Sequence, residues 1–272
     1  MYCYLHIKTH LSKLLIFIGG FSIIAFSACN FEPKTEKTIH FQNITSSSKI
    51  HLFDNENFPA LNLDLKILQS SDSIAHQKLN QAIALAFFDT IYQPDYTVNQ
   101  LLSLWTQLAS DNYKTMESFY AADSAEMGAS FNWQVIKNNN IDFISKNLIC
   151  FSVETYIFSG GAHGNTMKQH YIFDLKQEKL LYGKDIFDLN QCDAIKELQK
   201  ESLKKTVENV EYYSLEGLKC ETNFYVNDSG FVFHYDHYEI ASYAAGPIDI
   251  FISFDDSRNL LRSPEFLEQL KK

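Results

Sequence analysis

The sequence has little cysteine, proline and tryptophan, with five, five and two of them in 272 residues. After the first 28 residues, no segment approaches the roughly 18 consecutive apolar residues of a transmembrane helix. No Cys-x-x-Cys pair occurs, so neither a zinc knuckle nor a thioredoxin-type redox site is indicated. Gly-x-Ser-x-Gly and His-Glu-x-x-His are also missing, which removes two common signatures of hydrolases.

Basic residues are scarce as well. The first 28 residues contain Lys8 and Lys13 and no acidic residue, so the rest of the chain has 21 basic against 33 acidic residues, a net charge of −12. This balance argues against nucleic acid and anionic lipid surfaces as partners, because both attract Lys and Arg. It suits a basic protein partner, although the simpler interpretation is that the acidity keeps the chain soluble.

The N-terminal segment has the pattern of an export signal. Lys8 and Lys13 precede an apolar stretch from Leu14 to Ala28, and small residues then lead to Cys29. This predicts a lipoprotein signal peptide at residues 1–28, lipidation of Cys29, and a tether with a first strand at residues 29–57. The chain would then be anchored to the inner or outer membrane of a bacterium and face the periplasm or the exterior. An ordinary signal peptide and an uncleaved anchor are the alternatives.

Three cysteines remain after Cys29. Cys150 lies in the apolar run LICFSVETYIF and is predicted to pack in the core. Cys192 and Cys220 bracket a helical segment and could form a bridge, which an exported location permits, but we expect them to stay unpaired.

Hydrophobic periodicity predicts an α+β fold with antiparallel sheets, packed helices and two subdomains of similar size. Alternation predicts strands, and a 3.6-residue spacing predicts helices; Thr97 followed by Gln100 forms a capping box. Asn190 is a candidate helix cap, and Asn227-Asp228-Ser229-Gly230 predicts a hairpin. The predicted segments are strands at residues 61–69, 131–135, 149–157, 166–174 and 248–254, a turn at 137–140, and helices at 72–89 and from 97 onward.

Two stretches carry a resemblance. Residues 156–165 read YIFSGGAHGN, and residues 231–247 contain YEIASYAAGP. Together they resemble the RsiV-like/PdaC-like family, paired extracytoplasmic bacterial domains of unknown function. Such domains form the outer part of a lysozyme-sensing anti-sigma factor and accompany the catalytic domain of peptidoglycan deacetylases. The resemblance implies a PdaC-like domain at residues 58–160 and an RsiV-like domain at residues 161–272, with a seam near residues 159–165.

The chain departs from this family at two positions. His237 and Ser242 stand where the family usually has proline, which loosens the second loop and changes its rim. The sigma-binding segment, the spanning helix and the catalytic domain of the relatives have no counterpart in the sequence. We therefore expect a non-enzymatic binding module rather than an enzyme.

The conspicuous loops supply the candidate binding residues. The first loop contributes Gly160, Gly161, His163 and Gly164, and the second contributes Tyr238, Glu239, Tyr243 and Gly246. The glycines permit a sharp turn between strands. Glu239 is expected to accept hydrogen bonds from backbone donors and hold its loop, and the alternative is an acid with a raised pKa.

No metal or cofactor is expected. His163 and His170 are seven residues apart, and His234 and His237 are three apart on or beside a strand, where they face opposite sides. The expected ligand is lysozyme or a related cell-wall hydrolase, on account of the resemblance and the negative charge. The alternative is a peptidoglycan-binding or wall-maintenance lipoprotein, and a hydrolase or an accessory of a deacetylase comes third.

Overall fold

A computed structural model describes residues 38–123, 131–221 and 223–270. The predicted signal peptide at residues 1–28, Cys29 and the first part of the tether lie outside the described residues. The strands are β1 (Phe41–His51), β2 (Ala60–Ser70), β3 (Trp133–Ile144), β4 (Leu148–Phe158), β5 (Asn165–Asp174), β6 (Lys179–Leu181), β7 (Phe224–Val226), β8 (Gly230–Tyr235) and β9 (Ile248–Ser253). The helices are α1 (Gln77–Phe88), α2 (Val98–Lys114), α3 (Glu117–Asp123), α4 (Gly183–Ile186), α5 (Cys192–Thr206), α6 (Phe254–Ser257) and α7 (Phe266–Gln269).

The strands form two sheets. β1 to β6 make a six-stranded sheet in sequence order, and β7 to β9 make a three-stranded antiparallel sheet. In the larger sheet only β2 and β3 pair in parallel, because the connection between them carries α1, α2 and α3 across one face. The predicted α+β class with mainly antiparallel sheets is confirmed.

Strand β4 separates two hydrophobic cores. Ile149, Phe151 and Val153 face a core shared with α1 and α2, whereas Leu148 and Cys150 face a core shared with the small sheet and α5. A strand buried on both faces needs an almost continuous apolar run, which LICFSV supplies. Cys150 is a free, fully buried thiol, as predicted, and burial raises its pKa to about 12.

The large sheet continues across the expected seam. β4 and β5 pair as a hairpin from Leu148↔Asp174 to Ile157↔Asn165, and residues 39–272 form one compact unit. The turn at residues 159–164 therefore connects two paired strands of one sheet, and the division into domains at residues 160 and 161 stays a prediction.

The predicted turn at residues 137–140 is wrong, because β3 runs through it. Lys137 and Asn138 still pair with β2, and all four residues pair with β4. Asn139 is buried and continues the contact with β2 through its side chain. Its Oδ1 accepts from the Leu68 backbone N–H at 2.6 Å and its Nδ2 donates to the Leu68 carbonyl at 3.1 Å. An amide side chain here replaces a strand partner, which composition alone does not reveal.

The helices differ from the expectations at their ends. α1 begins at Gln77, so Ile74 is 91% exposed rather than part of an apolar face. The capping box of Thr97 and Gln100 at the start of α2 is confirmed. Asn190 caps no helix; instead, the Asp188 side chain accepts from the backbone N–H of Asn190.

The expectation that Cys192 and Cys220 stay unpaired is wrong. They form a disulfide, with a Cα–Cα distance of 5.3 Å, across a separation of 28 residues. Cys192 opens α5 and Cys220 follows the loop that returns to β7, so the bridge closes the whole α5–loop segment. Sequence spacing did not reveal the pairing, because a separation of 28 positions leaves the distance between the two thiols undetermined.

Removing this bridge should destabilise the chain. For the double variant Cys192→Ser/Cys220→Ser we expect the free energy of unfolding to fall by about 3–4 kcal/mol, since the reduced loop gains conformational entropy when unfolded. Urea unfolding followed by circular dichroism measures the loss. A reductant should produce the same loss in the wild-type chain and none in the double variant. Equal stability of the oxidised wild type and the double variant would contradict the assignment.

Candidate binding surface

The two glycine- and tyrosine-containing loops meet in the folded chain. The Tyr243 ring stacks on the His163 ring with centroids 3.9 Å apart and planes 19° apart. The Tyr243 hydroxyl donates to the carbonyl oxygen of Gly164 at 3.0 Å. Tyr243 is thus joined to the first loop by a ring contact and by a hydrogen bond that spans 79 positions in the sequence.

The glycines of the first loop have two different roles. Gly160 and Gly161 have φ values of 94° and 92°, in the left-handed region that favours glycine. Gly164 is buried against the Tyr156 ring, and a Cβ at this position would lie only 2.4 Å from a ring carbon. Glycine is therefore needed at the tip of the loop for its backbone conformation, and at Gly164 because the Tyr156 ring leaves no space for a side chain.

Two further rings surround Tyr243 in the second loop. His237 stacks on Tyr243 with centroids 4.4 Å apart, and Tyr238 lies 5.6 Å away at 35°. Tyr238 has φ of 67° and is 63% exposed, so a left-handed backbone presents a large ring to solvent. We name His163, His237, Tyr238 and Tyr243 the ring platform.

Glu239 holds this loop rather than facing solvent alone. Its Oε2 accepts from the Asp236 backbone N–H at 2.8 Å, and its Oε1 lies 3.1 Å from Nζ of Lys219. The backbone N–H of Lys219 donates in turn to the hydroxyl of the buried Tyr235. Gly246, with φ of 75°, ends the short turn that carries Tyr243.

A polar network built around two buried histidines lies beside the ring platform, and we name it the histidine network. Its members are Asp142, His170, His234, Asp236 and Asp249. His234 lies with Nδ1 2.7 Å from Oδ1 of Asp249 and Nε2 3.2 Å from Oδ1 of Asp236. His170 places Nδ1 3.1 Å from Oδ2 of Asp142, and the His170 and His234 rings meet edge to face at 5.3 Å.

The two histidines differ in charge, because the pKa of one is raised and that of the other is lowered. Burial acts to lower the pKa of His234, but the hydrogen bonds and charges of Asp236 and Asp249 outweigh it and raise the pKa to about 9. Burial lowers the pKa of His170 and outweighs the opposing hydrogen bond to Asp142. His234 is therefore an imidazolium at neutral pH, whereas His170 is neutral and donates from Nδ1. Within the described residues, Nε2 of His170 has no hydrogen-bond partner.

Side chains next to the strands of the small sheet bind backbone groups of β5 at residues 168–170, outside its pairing with β6. Asn223 accepts from the His170 backbone N–H at 2.9 Å and donates to the Lys168 carbonyl at 2.7 Å. The Asp236 carboxylate accepts from the Lys168 backbone N–H at 3.0 Å. Asp236 thus connects the large sheet, the His234 imidazolium and the start of the second loop, residues 236–247, which we name the platform loop.

Two grooves open near these loops. One, of about 350 Å³, adjoins the platform loop and is lined by Glu208, Asn209, Tyr212, Tyr213, Ser242, Ala244 and Ala245. We name it the side groove. The other, of about 500 Å³, lies between α2 and the large sheet and ends at Ser159, just before the glycine loop. Both tryptophans of the chain, Trp105 and Trp133, line it, so we name it the tryptophan groove.

The structure brings together most of the candidate residues from the sequence. The contacts of Tyr243 with His163 and Gly164 join the loop that contains Gly160, Gly161, His163 and Gly164 to the loop that contains Tyr238, Glu239, Tyr243 and Gly246. Sequence reasoning missed the carboxylates of the histidine network. One signal was available: Asp249 lies in the strand predicted at residues 248–254, and His234 and Asp236 follow the predicted hairpin. The described residues contain no group of three His, Cys, Asp or Glu side chains placed to hold a metal ion.

Comparison with known proteins agrees with this architecture. Residues 55–166 match the family model described as deacetylase PdaC, and residues 184–255 match DUF3298, a protein family of unknown function. The crystal structure of a DUF3298 family member from Bacteroides fragilis is 26% identical and superposes with a TM-score of 0.76 over 86% of this chain and 98% of that one. Together the two matches and this neighbour support a PdaC/DUF3298-like domain family for the chain.

A second solved structure shares the fold alone. The DUF3298 family protein from Pseudomonas aeruginosa is 16% identical, with a TM-score of 0.62 over 84% of this chain and 97% of that one. No curated protein matches the chain. None of the helices in the described ranges combines the length and apolar character that a membrane crossing demands.

The two matched segments both contribute to the ring platform. The first loop falls inside the PdaC match, and Tyr238, Tyr243 and Gly246 fall inside the DUF3298 match. The platform of this PdaC/DUF3298-like chain therefore exists only where its two family segments pack together.

The raised pKa of His234 predicts that the free energy of unfolding decreases as the pH becomes alkaline. Because its pKa is raised in the folded chain, its contribution is complete below about pH 6.5 and is lost as pH rises through about 9. We expect the free energy of unfolding to fall by about 1–3 kcal/mol between pH 6.5 and 9.5. The variant His234→Asn should lose this slope, as measured by urea unfolding at several pH values. A slope of equal size in wild type and variant would show that other groups cause it.

Proposed function

We propose that this chain is a non-enzymatic, lipid-anchored binding module of the bacterial cell envelope that recognises a basic protein. The sharper form of the proposal names lysozyme or a related cell-wall hydrolase as that protein. The observation that carries the proposal is the ring platform, in which two loops present stacked, partly exposed rings beside a groove that contains the carboxylate of Glu208.

The ring platform has the character of a protein-binding surface. Tyrosine is enriched at protein interfaces because it offers a large contact area and a polar hydroxyl at low entropic cost. Here Tyr238 is mostly exposed, and its neighbours Tyr243 and His237 are already stacked. A surface held in place before binding loses little freedom on association, which favours affinity.

The histidine network supports a binding role over catalysis. Both ring nitrogens of His234 are engaged by carboxylates, and Nε2 of His170 is buried away from solvent. Glu239 is occupied by Lys219 and by the Asp236 backbone. A general acid or base must reach a substrate with a free atom, and these groups instead hold the loops in place.

The charge of the chain supports a basic partner. The net charge of −12 after residue 28 attracts positively charged proteins and accelerates their encounter. Glu208 and Glu211 lie on the exposed turns that form one wall of the side groove and its surroundings. Complementary charge of this kind affects the association rate more than the final affinity.

Binding of hen lysozyme to the full chain in mild detergent tests the proposal. We expect a dissociation constant in the micromolar range or tighter and an association rate that falls as salt is raised. Tyr238→Ala should weaken binding about tenfold, because this ring is the exposed anchor of the platform.

The matched control is Tyr96→Ala, which removes another exposed tyrosine far along the sequence, between α1 and α2. Its affinity for lysozyme should equal that of the wild type. Binding that is undetectable, or that both variants weaken alike, would refute lysozyme recognition by the platform.

The tryptophan groove favours a second candidate, a peptidoglycan-binding or wall-maintenance lipoprotein. Trp105 and Trp133 line an otherwise mostly aliphatic groove, to which Asn112 and Ser159 add polar groups. Aromatic rings that pack on the apolar face of a sugar, with a few polar groups beside them, are suited to wall glycan.

Retention of the chain on purified sacculi, without lysozyme, tests this second candidate. Leu108 lines the groove and is 47% exposed, so Leu108→Gln changes the groove without emptying the core. We expect this variant to lose about tenfold in retention, whereas Leu85→Gln, at an equally exposed leucine on α1, should retain like the wild type. Absence of wild-type retention would exclude this candidate.

A further inference from the structure

The side groove combines one carboxylate with aromatic and very small side chains. Tyr212 and Tyr213 come from the turn after α5, and Ser242, Ala244 and Ala245 come from the platform loop. The small residues leave space beside the rings, so the groove of about 350 Å³ is open to a flat group.

The polar atoms of the groove are free to bind a ligand. In the described part of the chain, the carboxylate of Glu208 and the hydroxyls of Tyr212 and Tyr213 have no hydrogen-bond or ion-pair partner. Two other glutamates are paired with lysines, Glu201 with Lys204 at 2.8 Å and Glu239 with Lys219 at 3.1 Å. Tyr212 is 74% exposed and stacks on no other described ring, so a face of its ring is available.

The groove is also preorganised. The Ser214 backbone N–H donates to the carbonyl of the buried Ile240 at 2.7 Å, which ties the tyrosine turn to the platform loop. Gly217 fits closely against the same loop, since a Cβ there would lie 3.2 Å from the Glu239 carbonyl oxygen. The two walls therefore keep their spacing without a ligand.

From these features we propose that the side groove is a subsite for an arginine side chain of a protein partner. A guanidinium is flat enough to stack on the Tyr212 ring, and its paired N–H donors match the carboxylate of Glu208. A lysine ammonium would satisfy the charge but neither the stacking nor the two-point hydrogen bond. The proposal rests on the proposed function for the nature of the partner, a basic protein.

Fluorine NMR of the full chain labelled with fluorotyrosine tests the subsite directly. The probes are Nα-acetyl-arginine methylamide and Nα-acetyl-lysine methylamide, and Tyr212→Phe assigns the reporter resonance. We expect the arginine probe to shift this resonance saturably, with a half-saturating concentration about threefold lower than that of the lysine probe. Glu208→Gln should raise that concentration about fivefold, whereas Glu216→Gln, at a neighbouring exposed acid, should leave it unchanged.

Three results overturn the proposal: no saturation by the arginine probe, equal response to both probes, or an undiminished response in Glu208→Gln. Lysozyme binding by the same variants separates this subsite from the proposed function. Saturation by the arginine probe without lysozyme binding supports the subsite and refutes lysozyme as partner. Lysozyme binding by wild type without saturation by the probe refutes the subsite and leaves the proposed function standing.

Discussion

The charged imidazole of His234, held between Asp236 and Asp249, is the interaction on which the rest of the binding surface depends. It joins β8, β9 and the start of the platform loop, and Asp236 extends it to the backbone of β5. A buried charge left without its partner is costly, so each member keeps the others in place. These polar contacts hold the two sheets in position relative to each other, in addition to the apolar packing between them.

The ring platform follows from this constraint. Its two loops come from the two family segments, and neither loop alone stacks His163, Tyr243 and His237. The ion pair between Glu239 and Lys219 also ties the platform loop to the segment that the disulfide closes, because Lys219 precedes Cys220. The surface is a consequence of how the halves pack, and its rings need no regular secondary structure of their own.

Local patterns predicted much of the fold. The alternation in LNLDLKILQ, the capping box at Thr97 and the hairpin at Asn227–Gly230 depend on neighbours in sequence, and the structure confirms each one. Failures occurred where a distant residue decides. Asn139 is accommodated in a strand because its side-chain amide hydrogen-bonds the backbone of Leu68. Cys192 reaches Cys220 because the chain after α5 returns to the start of that helix. Likewise the two loops could be identified from their sequence motifs. The role of the carboxylates of Asp142, Asp236 and Asp249 depends on their contacts with His170 and His234, which only the structure shows.

The two departures from the family pattern acquire a physical interpretation in this setting. Where the family resemblance implies proline, His237 contributes a ring that stacks on Tyr243, and Ser242 lines the side groove. Neither residue belongs to the histidine network, so the contacts of that network with the platform loop do not depend on them. They change only the side chains that the loop presents at its surface. Variation at such positions alters what the surface contacts without disturbing what holds it. If the proposed function holds, we expect substitutions at these two positions to change the partner preference of the surface more than the stability of the fold.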